Sequence, residues 1–104
     1  SKGAAPAPQQ SAGLFHTAIV YPTRKDLAFI LDRLLKAGYP LTGMADHGVS
    51  EAIYLNDPDG NGVELYWDKP KDQWPKDADG NLKMVTEALD SKGLLDELKL
   101  SAAQ

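Results

Sequence analysis

Two side chains that ligate metals stand where apolar residues are expected. His16 sits inside the β-prone run at residues 14–20 (LFHTAIV), and Glu64 sits between Val63 and Leu65 in residues 63–67 (VELYW). A carboxylate on a core strand must find a partner that offsets its desolvation. Taken alone, His16 reads more readily as a buried histidine hydrogen-bonded to its neighbours. Glu64 alone reads equally well as a carboxylate on an edge strand facing water. Together they say more. A neutral imidazole and a carboxylate converging from neighbouring strands suit a divalent transition metal. Two-histidine, one-carboxylate sites with open positions bind Fe(II), and Zn, Ni or Mn occupy similar sites.

Other constellations carry less. Asp57-Pro58-Asp59-Gly60-Asn61-Gly62 imitates the start of an EF-hand calcium loop, with Asp68 at the twelfth position. Glu64 then falls where a hydrophobic residue belongs, and strand-like segments flank the loop where helices are required. A hairpin turn is the better reading. Asp77-Ala78-Asp79-Gly80-Asn81 repeats the pattern and fails sooner, because Leu82 stands where glycine should. Ser50 is near His47 in the chain, but no nucleophile elbow surrounds it, and there is no cysteine. Tyr54, Tyr66 and Trp67 could line a pocket for a ring, although aromatics on strands are more often core.

The elements that must position these groups follow a β-α-β-β-β order. In the first run His16, Ala18 and Val20 alternate with Phe15, Thr17 and Ile19. Thr23 can cap a helix, with Asp26 completing an acidic variant of the capping box. Leu27, Ile30, Leu31, Leu34 and Leu35 form its buried stripe, and Arg24, Lys25, Asp32, Arg33 and Lys36 occupy the rest. Gly38 and Pro40 end it. Residues 40–46 are expected to be extended, residues 51–56 (EAIYLN) and 63–67 form strands, and dense turn chemistry separates the last two. The polar, proline-broken stretch DKPKDQWPKDADGN reads as an arm, followed by a helix over residues 84–98 with Gly93 as its weak point.

The expected division is a linker-like segment at 1–13, a module at 14–68, and an arm with a C-terminal helix at 69–104. The chain has 104 residues and its Pro/Ala/Gln/Ser-rich start buries almost nothing apolar. So small a core hides only about 60% of its unfolded surface, and such folds lean on disulfides, metals or partners. Without cysteine, a metal or a partner chain is the expectation, and a cytoplasmic location fits. A net charge of −4, with lysines alternating with aspartates, excludes a nucleic-acid surface. No apolar run reaches the ~18 residues of a membrane span.

The β-α-β-β-β order, with histidine in the first strand and DPDGNGVELY at the last, resembles the glyoxalase / bleomycin-resistance / extradiol dioxygenase superfamily. GLFHTAIVYPTRKDLA, DHGVSEAIYLNDPDGNGVELYWDKP and QWPKDADGN resemble the catechol 2,3-dioxygenase-like branch, and within it the second module of the N-terminal half. The resemblance covers residues 13–98. It implies an α+β fold, a single βαβββ module with a C-terminal helix, which pairs with another module to form a cleft around one divalent metal. It puts His16 and Glu64 at the metal-ligand positions, with Fe(II) the leading candidate. Tyr54, ten residues before Glu64, falls where extradiol dioxygenases carry a tyrosine near the metal-bound substrate. His47 belongs to the DH-x-VS segment, which approaches the cleft in relatives, so the resemblance implies an acid-base or substrate-contacting role for it. One module supplies only two of the ligands. The resemblance therefore implies a small-molecule substrate and a second βαβββ module, either a copy of this chain in a homodimer or a missing N-terminal module. The proline-rich start is similar to the linker after such a module, as expected of a fragment. Two other readings stand beside the metal-dependent enzyme: a non-catalytic binding module of the bleomycin-resistance kind, and a structural half of a larger dioxygenase.

Overall fold

Alternation of apolar and polar residues builds one mixed sheet, and helical periodicity covers a single face of it. The computed structural model describes residues 17–83 and 85–102, so His16 lies outside the described residues. In chain order the elements are β1 (Thr17–Tyr21), α1 (Arg24–Lys36), β2 (Leu41–Asp46), β3 (Ser50–Asn56), β4 (Gly62–Asp68), a single 3₁₀ turn (Lys71–Gln73), β5 (Glu87–Ala88) and α2 (Ser91–Ala102). The sheet order is β1-β4-β3-β2-β5. β1 runs parallel to β4, and every other pairing is antiparallel. The α+β architecture, a βαβββ module followed by a C-terminal helix, is therefore present.

Thr23 caps α1 as expected. Its Oγ1 accepts the Asp26 amide at 3.1 Å and donates to the Asp26 carboxylate at 2.9 Å. Arg33 and Lys36 in the last turn complement the helix dipole. At the far end the Tyr39 amide returns to the Leu34 carbonyl at 3.0 Å, which closes the helix at Gly38.

The core forms between α1, α2 and the inner face of the sheet. Leu27, Ala28 and Leu31 from α1 meet Ile53 and Leu55 of β3, Leu65 of β4, and Leu89 and Leu94 from the C-terminal segment. Leu35 departs from the expected stripe and is 49% exposed. The buried arc is instead centred on Leu27, Ala28 and Leu31, which turns Leu35 towards solvent. Phe29 is likewise half exposed, with the Arg33 guanidinium 5.6 Å above its ring.

The C-terminal helix is shorter than the expected 84–98 span. Glu87 and Ala88 pair with Asp46 and Ala45 as an edge strand, and α2 starts only at Ser91. Asp90 sets that start, because its Oδ1 accepts the Gly93 amide at 3.0 Å and its carbonyl accepts the Leu94 amide. Gly93 is thus in the first turn, where it weakens the helix less than it would in the middle. Replacing Asp90 with alanine should cost about 1 kcal/mol of stability, readable as a lowered urea midpoint at unchanged m-value.

Arg24, outside the apolar stripe of α1, is held by two carboxylates. Its guanidinium grips Glu51 with Nε–Oε1 at 2.7 Å and Nη2–Oε2 at 3.2 Å, and its Nη1 reaches Glu97 at 2.9 Å. This cluster ties α1, β3 and α2 together on the helix-bearing side. It borders a charged cleft of about 560 Å³, also lined by Asp46, Trp67, Lys69 and Asp90.

Candidate functional site

Strand register, rather than any loop, assembles the candidate site. On the face away from the helices, Ala18 pairs with Glu64 and Glu64 with Tyr54, placing three neighbouring strands' residues in one row. Val20, Tyr66, Ala52 and Ala45 make the next row. This face carries little cover at its β1 end, where Val20 is 53% exposed.

Glu64 and Tyr54 are register partners on this face, and the neighbouring carboxylate is an acceptor that favours the protonated Tyr54 hydroxyl. Burial pushes the Tyr54 hydroxyl above the ordinary phenol range, and the charge and hydrogen bond of Glu64 push it further. Tyr54 therefore keeps its proton at neutral pH and serves as a donor, not as a phenolate.

His47 completes the line. Its Nε2 lies 2.6 Å from the Tyr54 hydroxyl oxygen, and the two rings meet edge to face at 74°. Its Nδ1 lies 3.4 Å from the Thr86 hydroxyl. The sequence makes this possible through the short β2–β3 connection. The His47 amide donates to the Ser50 carbonyl at 2.9 Å, which closes the hairpin. The Gly48 amide donates to the Asp46 carboxylate at 2.8 Å, and Lys69 pairs with Asp46 at 2.9 Å. Burial alone would raise the Asp46 carboxyl, but Lys69, the Gly48 amide and His47 hold it below the usual range. Asp46 is thus a fixed anion that anchors the loop carrying His47.

The structure brings Glu64, Tyr54 and His47 into one connected line, and His16 falls outside the described residues. Among the described residues no three His, Cys, Asp or Glu side chains gather as a metal cage. Glu64 has the donor chemistry for a metal but supplies one ligand, so the described residues fit part of such a site. Tyr66 shares the open face, whereas Trp67 turns to the helix side and packs against the core. The two turns behave as hairpin chemistry predicts. Asp57 Oδ1 accepts the amides of Asp59 and Asn61, and Asp77 does the same for Asp79 and Asn81.

Two partnerships escaped the sequence reading. Glu51 shares its strand face with Ile53 and Leu55, so its parity already marked it as buried and in need of a cation. Thr86 gave no comparable signal, because only the pairing of β5 with β2 brings it to His47. The charged cleft beside Arg24 lies on the other side of the sheet, and its bordering Arg24, Glu51, Glu97, Asp46 and Lys69 are paired with one another.

Comparison with known proteins bears on this geometry. The family model described as Glyoxalase/Bleomycin resistance protein/Dioxygenase superfamily matches residues 1–65. Catechol-2,3-dioxygenase of Bacillus subtilis (strain 168) is 50% identical over 91 residues, covering 86% of this chain and 32% of that protein. Biphenyl-2,3-diol 1,2-dioxygenase 3 of Rhodococcus globerulus is 41% identical over 58 residues, or 56% of this chain and 30% of the relative. The chain thus spans about a third of the length of the curated relatives it matches. No solved structure matches it significantly. A helix-backed sheet of order β1-β4-β3-β2, with a carboxylate–tyrosine–histidine line across its open face, meets a family model that covers most of the module. This chain belongs to the glyoxalase/bleomycin resistance protein/dioxygenase superfamily.

Proposed function

We propose that this chain forms part of a metal-dependent site of the extradiol dioxygenase type, acting on a small substrate with vicinal oxygens, catecholic in kind. The observation that carries the reading is the line His47–Tyr54–Glu64 on the open face of the sheet, joined by the 2.6 Å His47–Tyr54 contact and the register pairing of Tyr54 with Glu64. Its support includes the relatives, which are named as dioxygenases of catechol and of biphenyl-2,3-diol.

In this reading Glu64 and His16 would hold a divalent metal, Fe(II) first and Zn, Ni or Mn next. In the sequence His16 falls on the same side of the alternation as Ala18, and Ala18 is the register partner of Glu64. Such a metal supplies an electrophilic centre for two adjacent oxygens and, as Fe(II), a place for dioxygen. The chain's own residues do the rest. The Tyr54 hydroxyl orients the Glu64 carboxylate, as outer hydrogen bonds commonly do for metal ligands. His47 can hold a proton and pass it through the Tyr54 oxygen towards a substrate oxygen beside Glu64. The exposed β1 end of the open face is where a second βαβββ module would complete the ligand set, from a copy of this chain or from another part of a longer protein.

The test is metal content of the assembled species, read together with its mass. The wild-type chain with its partner module should carry a stoichiometric divalent ion. Glu64→Gln and His16→Ala should each lower affinity about tenfold or more. Thermal shift with catechol, with and without metal, adds the ligand. Stabilisation by catechol that ignores both substitutions and the metal would replace this reading with metal-free binding. No metal and no ligand response would leave a structural half.

A further inference from the structure

Counting protons along the line fixes its direction. The Tyr54 hydroxyl has one proton, and its register partner Glu64, a carboxylate that can only accept, is the neighbour that draws it. The 2.6 Å contact between His47 Nε2 and the Tyr54 oxygen therefore needs its proton from histidine. A neutral imidazole carries one N–H, so Nδ1 is then a bare acceptor. Thr86 is the hydroxyl facing that nitrogen, at 3.4 Å, and it comes from the C-terminal arm rather than from the module's own strands.

We propose that Thr86 is a positioning residue for His47. Its hydroxyl donates to Nδ1 and holds the ring in the Nε2–H form that points its proton at Tyr54. The proposal rests on the reading of His47 and Tyr54 as site residues, and it makes the arm a working part of that site. Without a donor at Nδ1, the ring is free to take its other tautomer, and Nε2 would then compete with Glu64 for the Tyr54 proton. Glu64 would lose its orienting bond in a fraction of molecules. The arm is well placed to hold Thr86 steady. Glu87, next in sequence, pairs with Asp46 in β2, and Asp46 immediately precedes His47.

Long-range ¹H–¹⁵N correlation on the imidazole rings of the ¹⁵N-labelled, metal-free full chain reads the tautomer directly. A His47→Asn variant assigns the signals, since the chain has only two histidines. Measured well above the ordinary histidine range, wild type and Thr86→Ser should show the Nε2–H form in excess. Thr86→Val, close in shape but without the hydroxyl, should raise the Nδ1–H share by roughly three- to tenfold, the equivalent of one net hydrogen bond. A wild-type ring already dominated by Nδ1–H overturns the proposal with no variant needed. So does an unchanged ratio in Thr86→Val. Should that variant misfold, Thr86→Ala serves in its place with the same expected shift. Because no metal is present, this outcome is independent of whether the chain binds one: a failed metal test with the expected tautomer shift sinks only the functional reading.

Discussion

Replacing Arg24 with methionine is expected to cost the fold about 3 kcal/mol, the range found when one member of a buried ion pair is removed. Glu51 is the reason. Its side chain is 5% exposed and faces the helices, so its charge has little water to fall back on. Arg24 meets it with two hydrogen bonds and bonds Glu97 with a third, joining α1 to β3 and α2. Those contacts hold the guanidinium even more firmly protonated than usual: the Glu51 hydrogen bond contributes most, and burial opposes it. Methionine keeps the stem and removes the fork. The neighbourhood makes matters worse, because Asp46 is the register partner of Glu51 and cannot help. Like charges directly opposite on paired strands destabilise each other. Arg24→Met/Glu51→Leu tests the cause. If the penalty is the stranded carboxylate, the double variant should regain most of the loss, giving a coupling of about 2 kcal/mol in urea denaturation. If both single variants are mild and additive, the pair is only a surface contact and the account is wrong.

The same pair shows what sequence can and cannot carry. Alternation along residues 51–56 puts Ile53 and Leu55 on one face, and both are buried there. Glu51 belongs to that face by the same rule. What alternation does not give is the identity of the cation, since Arg24 lies 27 residues away and only the packing of α1 on the sheet joins them. The capping of α1 by Thr23 and the two aspartate turns were legible because each depends on residues within a few positions. Leu35 misled because a helical stripe is wider than the surface it meets here. The start of α2 was misplaced for a related reason. Val85, Ala88 and Leu89 satisfy a helical pattern, yet the segment gains more by adding an edge strand beside β2 before Asp90 caps the helix. For the candidate site, the spacing of Tyr54 and Glu64 was readable as motif, and register turned it into contact. Thr86 needed the arm's path, which no local rule supplies.

That path also makes Gly48 the most demanding position near the site. Gly48→Ala should destabilise the chain by about 3 kcal/mol and lower its melting temperature by more than ~10 °C. Two costs combine. Its φ of +82° is a conformation in which a Cβ crowds the backbone, roughly 1–2 kcal/mol for alanine. An added methyl would also lie 2.7 Å from both Pro75 Cγ and Val85 Cγ2, so the arm must move or the loop must. Overpacking of that kind typically costs 1–3 kcal/mol. Gly60 separates the terms, because it has a φ of +87° and nothing within 4 Å of the added atom. Gly60→Ala should show the backbone cost alone, about 1–2 kcal/mol. The excess at Gly48 is then the clamp between loop and arm. Removing one jaw, in Gly48→Ala/Val85→Ala, should recover part of that excess but not all, since Pro75 remains. The chemical consequence follows from position. His47 immediately precedes Gly48 and Thr86 immediately follows Val85, so an arm displaced by the methyl carries Thr86 away from Nδ1. Gly48→Ala should therefore disturb the His47 ring signals as Thr86→Val does, whereas Gly60→Ala should leave them unchanged. Equal losses at Gly48 and Gly60, with His47 undisturbed in both, would mean that the arm packs too loosely to position anything at the site.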